Sequence, residues 1–195
     1  MKPIDRAGAP FTVLVVCTAN QCRSPMAEIL LRDAVRARGL DWVITSAGTR
    51  AVDGEPMHPK ARAVLVERGH DPSGWTSTAL TPKLIEHADL VLTAESLHRS
   101  EVVTLAPAAL TRSFLMLQFA RLAGHVPPLS DARGPKAGPL LLDAVLDARA
   151  HVQPVPPGSE DVDDPIGRRM RAYRVCADVL QAAVEALLQP LRGEG

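Results

Sequence analysis

Cys17 and Arg23 stand with five residues between them in the stretch VVCTANQCRSPMAE, from Val15 to Glu28. Thr18, Ala19, Asn20, Gln21 and Cys22 lie between them, and Ser24 and Pro25 follow. A cysteine thiolate is a nucleophile, and a guanidinium presents a planar fork suited to two oxygens of a phosphate. A tight loop of small and polar residues leading into a helix offers free backbone N–H groups and the positive end of a helix dipole. Such a loop fits a phosphate-sized oxyanion and favours the anionic form of Cys17. Ser24 can donate a hydrogen bond to the thiolate besides capping the helix, with Pro25 at the first helical position. Asn20 is the loop residue best suited to a positive φ, or to tying the loop through its side chain. The Cys–Arg spacing is a weak signal on its own, and Cys17 taken alone reads equally as a buried structural cysteine. The elements on either side of the loop are what point to chemistry.

Phe11–Cys17 (FTVLVVC) is a continuous run rich in β-branched residues, the pattern of a strand buried on both faces. From Pro25 the period becomes helical. Met26, Ile29, Leu30 and Ala34 share one face, Glu28 and Arg32 another, and Gly39 ends the helix. Further strands are expected over Trp42–Gly48, Asp89–Glu95 and Thr111–Leu117. Helices are expected over His58–Gly69 and Pro82–Ala88, and from Leu97 to a stop at Pro107. Between Gly124 and Gly167 the pattern weakens into a Pro-, Gly- and Asp-rich stretch with one helix candidate, Leu140–Val152. Met170, Tyr173, Ala177, Leu180, Val184 and Leu187 then repeat at helical spacing as far as Leu188. Alternating strands and helices predict an α/β fold: a four-stranded parallel sheet with helices on both faces. One domain is expected over 1–195, with a flexible N-terminus at 1–10 and a Pro/Gly-rich insertion at 124–163 that reads as a solvated loop or a lid. In such sheets the site lies at the carboxyl ends of the strands, where Cys17 falls.

The composition fits a globular domain: 46% hydrophobic and 23% charged residues, with 22 acids balancing 22 bases over 195 residues. A balanced charge gives no reason to expect nucleic acid or a membrane surface as partner. Aromatics are only 3%, so the core must be built from Leu, Val and Ala. The first ten residues carry no apolar leader and no later segment is long enough to span a bilayer, so a cytoplasmic monomer is expected. Cys17, Cys22 and Cys176 make neither a disulfide framework nor a zinc pattern, so no metal and no cofactor are expected. Cys22 reads as a packing residue or as a resolving thiol for oxidised Cys17, and Cys176 as core. His58 and His70 read as helix-end residues.

The segment VCTANQCRSPMAE resembles the phosphate-binding loop of the low-molecular-weight protein tyrosine phosphatases. SAGT (Ser46–Thr49), GEPMHPKA (Gly54–Ala61), LTPKLIEHADLVL (Leu80–Leu92) and Asp164-Pro165 match further family features in the same order. The resemblance implies the four-stranded parallel sheet with its phosphate-binding loop after the first strand. It implies Cys17 as nucleophile, Arg23 as phosphate clamp and Asp164 as general acid. Thr18, Ala19, Asn20, Gln21, Cys22 and Ser24 would form the loop around the substrate phosphate. The chemistry needs an acid on its own account, because the expelled alkoxide or phenoxide leaves faster when protonated. The same carboxylate can then activate the water that hydrolyses a phosphocysteine. Asp163 is the fallback, since Asp163-Asp164-Pro165 could also merely open the last helix. The implied enzyme is a phosphomonoesterase acting on phosphorylated protein, with phosphotyrosine first among its substrates.

Several positions depart from the family pattern. Ile166 stands where a tyrosine is common, and Arg50, Ala51 and Val52 replace a second bulky wall, so aromatic stacking on a substrate ring is reduced. Gln21 replaces both the apolar residue of tyrosine-specific members and the threonine of arginine-phosphate-specific ones. Trp75 occupies the place of a histidine that ties down the loop asparagine, and Ala94-Glu95 replaces a more usual Met-Asp. Three rival functions follow: a protein arginine phosphatase, a thiol-dependent arsenate reductase, and a non-catalytic phosphate-binding module. The thioredoxin-linked type of reductase needs two further cysteines around Leu92–Val103, a stretch with none. The joint presence of Cys17, Arg23 and Asp164 argues against a pure binder.

Overall fold

The computed structural model describes residues 9–192, so the first eight positions of the expected flexible N-terminus lie outside the described residues. Strands β1 (Phe11–Cys17), β2 (Trp42–Gly48), β3 (Leu90–Thr93) and β4 (Ser113–Leu115) form one all-parallel sheet in the order β2-β1-β3-β4. Its helices are α1 (Arg23–Ala37), α2 (Pro59–Glu67), α3 (Pro82–His87), α4 (Ser96–Leu105), α5 (Met116–Ala123), α6 (Ala137–His151) and α7 (Met170–Leu187). The period of two along β1 divides the core between the faces. Val13, Val15 and Cys17 point to the layer built by α1, α2, α5, α6 and α7. Leu14 and Val16 point to the layer of Ile85, Val102 and Ala109, from α3, α4 and the turn after α4. β1 is therefore covered on both faces, as its unbroken apolar run requires. Among the described residues no helix is long and apolar enough to cross a membrane.

Four elements differ most from the sequence reading. α1 begins at Arg23 rather than Pro25, with Cys22 at its N-cap, and the Ser24 side chain does not cap it. Pro25 is tolerated there because the first-turn amides have no intrahelical acceptor to lose. β3 is shorter than Asp89–Glu95. The Asp89 carboxylate accepts from the Thr12 amide and hydroxyl, and Glu95 turns out of the ladder to become the N-cap of α4. β4 keeps three of the seven residues expected, because it is an edge strand paired on one side only. Met116 and Leu117 instead open α5, which buries Met116, Phe119, Ala120 and Ala123. The 124–163 stretch contains more than solvated loop. α6 starts three residues before the expected Leu140, and a Cβ on its Gly138 would come within 2.2 Å of the Phe11 ring. That glycine is what lets α6 seat directly against β1.

Candidate active site

β1 ends at Cys17, the chain curls through residues 18–22, and α1 starts at Arg23. Asn20 closes the curl with φ +52°, the positive value expected of it. Its buried amide is fully used. Nδ2 donates to the hydroxyls of Ser24 and Ser46 at 2.8 Å each, and Oδ1 accepts from the Thr78 amide at 2.8 Å. Ser46 in turn donates to the Glu28 carboxylate, which also receives the Trp75 indole N–H at 3.0 Å. Trp75 thus anchors the asparagine indirectly, through Glu28 and Ser46. The Ser24 hydroxyl lies 3.0 Å from the Cys17 sulfur. Gly48, paired with Cys17 in the sheet, is pressed against the backbone of the curl. The Thr49 and Arg50 amides donate to the Cys17 and Thr18 carbonyls, and the His58 amide to that of Gln21.

With its carbonyls bound from outside, the curl turns its amides inward. Among the described residues, nothing accepts from the amides of Thr18 to Cys22, and those of Arg23 and Ser24 are first-turn amides without an intrahelical partner. This is a nest for an anion. Arg23 lies beside it, only 2% exposed. One terminal nitrogen donates to Glu95 and, at 3.1 Å, to the Val162 carbonyl. The other donates to the Thr18 hydroxyl at 3.2 Å and the Asp164 carboxylate at 2.8 Å. Burial alone would lower the pKa of Arg23; the pairing with Glu95 and Asp164 outweighs it and holds the guanidinium above its usual value.

Asp164 arrives from the loop before α7. That loop is hung on the end of β3, where the Val162 amide donates to the Ala94 carbonyl at 2.7 Å. Its second oxygen accepts from the Ile166 amide at 3.0 Å. The neighbouring Asp163 has a side chain 93% exposed and, among the described residues, pairs only with Arg168, at 3.6 Å. Of the two aspartates, Asp164 is the one turned toward Cys17 and Arg23. The structure therefore brings together Cys17, Thr18, Asn20, Arg23, Ser24 and Asp164, with Ala19 and Gln21 half-exposed on the rim. Cys22 faces away into the core, where burial pushes its thiol pKa well up. Cys176 is core as expected, its thiol pushed up to about 12 by burial. His58 caps α2 through its ring nitrogen.

Sequence reasoning missed Glu95, His98, Glu28 and Thr78 as parts of this site. Glu95 was visible only as a departure from a family pattern, and His98 carried no signal of its own. Their partners are 58 to 80 positions away for His98 and Thr78, and the pairing exists only once β1, β3 and the Thr78 loop are side by side.

Comparison with known proteins agrees with this fold. Residues 12–128 match the model of the family described as low molecular weight phosphotyrosine protein phosphatase. A probable low molecular weight protein-tyrosine-phosphatase of Ralstonia nicotianae is 38% identical over 97 residues, 50% of this chain and 64% of that relative. That match falls short of two thirds of the relative's length. A protein-arginine-phosphatase of Geobacillus stearothermophilus is 28% identical over 95% of this chain and 99% of its own. Among solved structures, the low molecular weight protein tyrosine phosphatase from T. tengcongensis superposes with a TM-score of 0.70 at 28% identity, covering 93% of this chain and 99% of that one. The chain belongs to the low molecular weight phosphotyrosine protein phosphatase family. Its relatives divide between tyrosine and arginine phosphatases at similar identity over nearly the whole chain.

Proposed function

We propose that the protein is a phosphomonoesterase of phosphorylated proteins, acting on phosphotyrosine through a phosphocysteine at Cys17. The observation that supports it best is the convergence of the Cys17 sulfur, the Arg23 guanidinium and the Asp164 carboxylate on one nest of unpaired amides. The thiolate attacks phosphorus and forms the S–P bond while the ester P–O bond breaks, with Asp164 giving its proton to the departing oxygen. Asp164 then takes a proton from water, whose oxygen attacks phosphorus and releases inorganic phosphate and the thiolate. Arg23 and the amides hold the three non-bridging oxygens throughout. The four hydrogens on the terminal nitrogens of Arg23 are engaged, while its Nε–H has no partner among the described residues. A bidentate grip on phosphate therefore takes Nε–H together with the hydrogen now given to Asp164. That exchange frees the carboxylate for the leaving group.

Cys17→Ser is expected to abolish hydrolysis of p-nitrophenyl phosphate, and full activity in that variant would sink the mechanism. The second reading is a protein arginine phosphatase. It draws support from the similarity to the Geobacillus stearothermophilus enzyme and from a rim poor in aromatic rings, with Ile166 44% exposed beside Asp164. Turnover of phosphotyrosine and phosphoarginine side by side separates the two, and preference for phosphoarginine would overturn the first.

A further inference from the structure

We propose that His98 is a positioning residue for the phosphate clamp, holding Arg23 in register with the loop through the hydroxyl of Thr18. This rests on the function proposed above, in which Arg23 grips the phosphate. His98 is the third residue of α4 and only 3% exposed. Its Nε2 lies 2.8 Å from the Thr18 Oγ1, the same oxygen that accepts from Arg23 at 3.2 Å. A guanidinium only donates. Oγ1 is therefore an acceptor on the Arg23 side, and it meets Nε2 through either its own proton or its second lone pair, according to the imidazole tautomer. The other ring nitrogen, Nδ1, is buried without a partner.

A buried imidazole with one nitrogen unsatisfied is costly, and an apolar side chain would fill the same space without that cost. The bond that Nε2 does make is what distinguishes histidine here. Burial holds the His98 pKa below its usual value against the pull of Glu95, Glu101 and Asp161, with Arg23 acting in the same sense as burial, which favours the neutral ring. The geometry also shows why Arg23 needs the tie. Glu95, the Val162 carbonyl and Asp164 all draw the guanidinium toward the end of β3 and the acid loop. Thr18 is the one residue of the phosphate-binding loop that holds it, and Thr18 is held by His98.

The test is steady-state hydrolysis of p-nitrophenyl phosphate with inorganic phosphate as competitive inhibitor, on the full chain. His98→Leu is expected to raise KM and the phosphate inhibition constant about tenfold, the scale of one lost hydrogen bond to a charged group, with a smaller change in kcat. Thr18→Val should do the same, and the double variant should be no worse than either single one. His98→Gln, whose side-chain amide can accept from or donate to Thr18, should recover most of the loss. Additive losses in the double variant, or glutamine no better than leucine, would reduce His98 to a packing residue. An unchanged inhibition constant in His98→Leu would do the same. Should His98→Leu fail to fold, Thr18→Val, Thr18→Ser and His98→Gln carry the test, with only the valine variant expected to bind phosphate weakly. Activity surviving in Cys17→Ser would instead overturn the phosphatase reading itself, so the two failures are distinguishable.

Discussion

Gly48→Ala tests whether the phosphate-binding loop is held where it is by the strand beside it. A Cβ at this position would lie 2.5 Å from the Thr18 carbonyl oxygen, 2.7 Å from the Asn20 nitrogen and 2.9 Å from the Ala19 carbonyl carbon. Ordinary contact begins at 3.4 Å, so the Thr18 carbonyl alone must retreat by 0.9 Å, the difference between 3.4 and 2.5. All three atoms are backbone, and none can rotate away. Gly48 cannot yield either, since its amide donates to Thr78 at 2.9 Å and its carbonyl accepts from Leu80 at 2.9 Å. The loop must move, and with it the amides that face the phosphate. Overpacking of this kind costs about 1–3 kcal/mol, which lowers Tm by roughly 2–12 °C in a chain of this size. A displacement near 1 Å in a catalytic constellation costs about a hundredfold in rate, so kcat/KM for p-nitrophenyl phosphate should fall by that order while the protein stays folded at 25 °C. Gly54→Ala is the control. Gly54 has φ +84° with nothing within 4 Å of the added carbon, so it introduces backbone strain without touching the loop. Gly48→Ala with wild-type Tm and kcat/KM within about threefold of wild type would refute the account, because no contact-bound loop absorbs such a shift freely.

Three other perturbations follow from the same geometry. Asp164→Asn should lower kcat by about 10²–10⁴-fold as the proton donor is lost, whereas Asp163→Asn, altering an exposed side chain, should leave kcat near wild type; the reverse pattern would exchange their roles. Trp75→Phe removes the indole donor to Glu28 and should cost about 1 kcal/mol, read as a Tm lower by about 2–4 °C; an unchanged Tm would show that Glu28 does not need it. The folded-state pKa values of His58 and His98 are both lowered, chiefly by burial, so the unfolded chain binds more protons as the medium turns acid. Their contribution to stability is full above the unfolded value near 6.5 and declines as pH falls below it. Tm should drop between pH 7.5 and pH 5.5, and His58→Asn, which keeps a helix-capping acceptor without titrating, should flatten part of that drop. A slope identical in both proteins would count against the His58 share.

Much of the fold could be read locally because its signals are local. The β-branched run of β1, the terminal glycine of α1 and the stripe along α7 each report on their own neighbours. The misreadings fall where long-range partners decide. Thr111 to Leu117 is apolar enough for a seven-residue strand, but β4 has a partner on one side only, and the stripe Met116, Phe119, Ala120 and Ala123 gains more by packing as α5. Ser24-Pro25 has the look of a cap, yet Ser24 is drawn to Cys17 and Asn20 instead, and the helix starts two residues earlier than Pro25. The loop from Cys17 to Ser24 was legible as a curl between strand and helix for the same reason as β1: its residues are contiguous. The residues that hold it come from β2, the Thr78 loop, α4 and the acid loop, and nothing in their own neighbourhoods announces them.

The hydrogen-bond chain behind Cys17 has only one consistent direction. Trp75 Nε1 can only donate, so the Glu28 carboxylate accepts there and also from Ser46. With its proton committed to Glu28, Ser46 must accept from Asn20, which requires the Asn20 NH2 group on that side. The Thr78 amide, again only a donor, fixes the Asn20 oxygen on the other. The second hydrogen of the same NH2 group then goes to Ser24, and the Ser24 proton is left with two acceptors. One is the Cys17 sulfur at 3.0 Å, within range for sulfur, and the other is the Ala47 carbonyl at a marginal 3.4 Å. The sulfur is the nearer of the two by 0.4 Å, the difference between 3.4 and 3.0. A histidine at position 75 could reverse or lose its bond as it titrates. An indole cannot, so in this chain the polarity that ends on Cys17 is set by donors that hold their protons at any pH at which the fold survives.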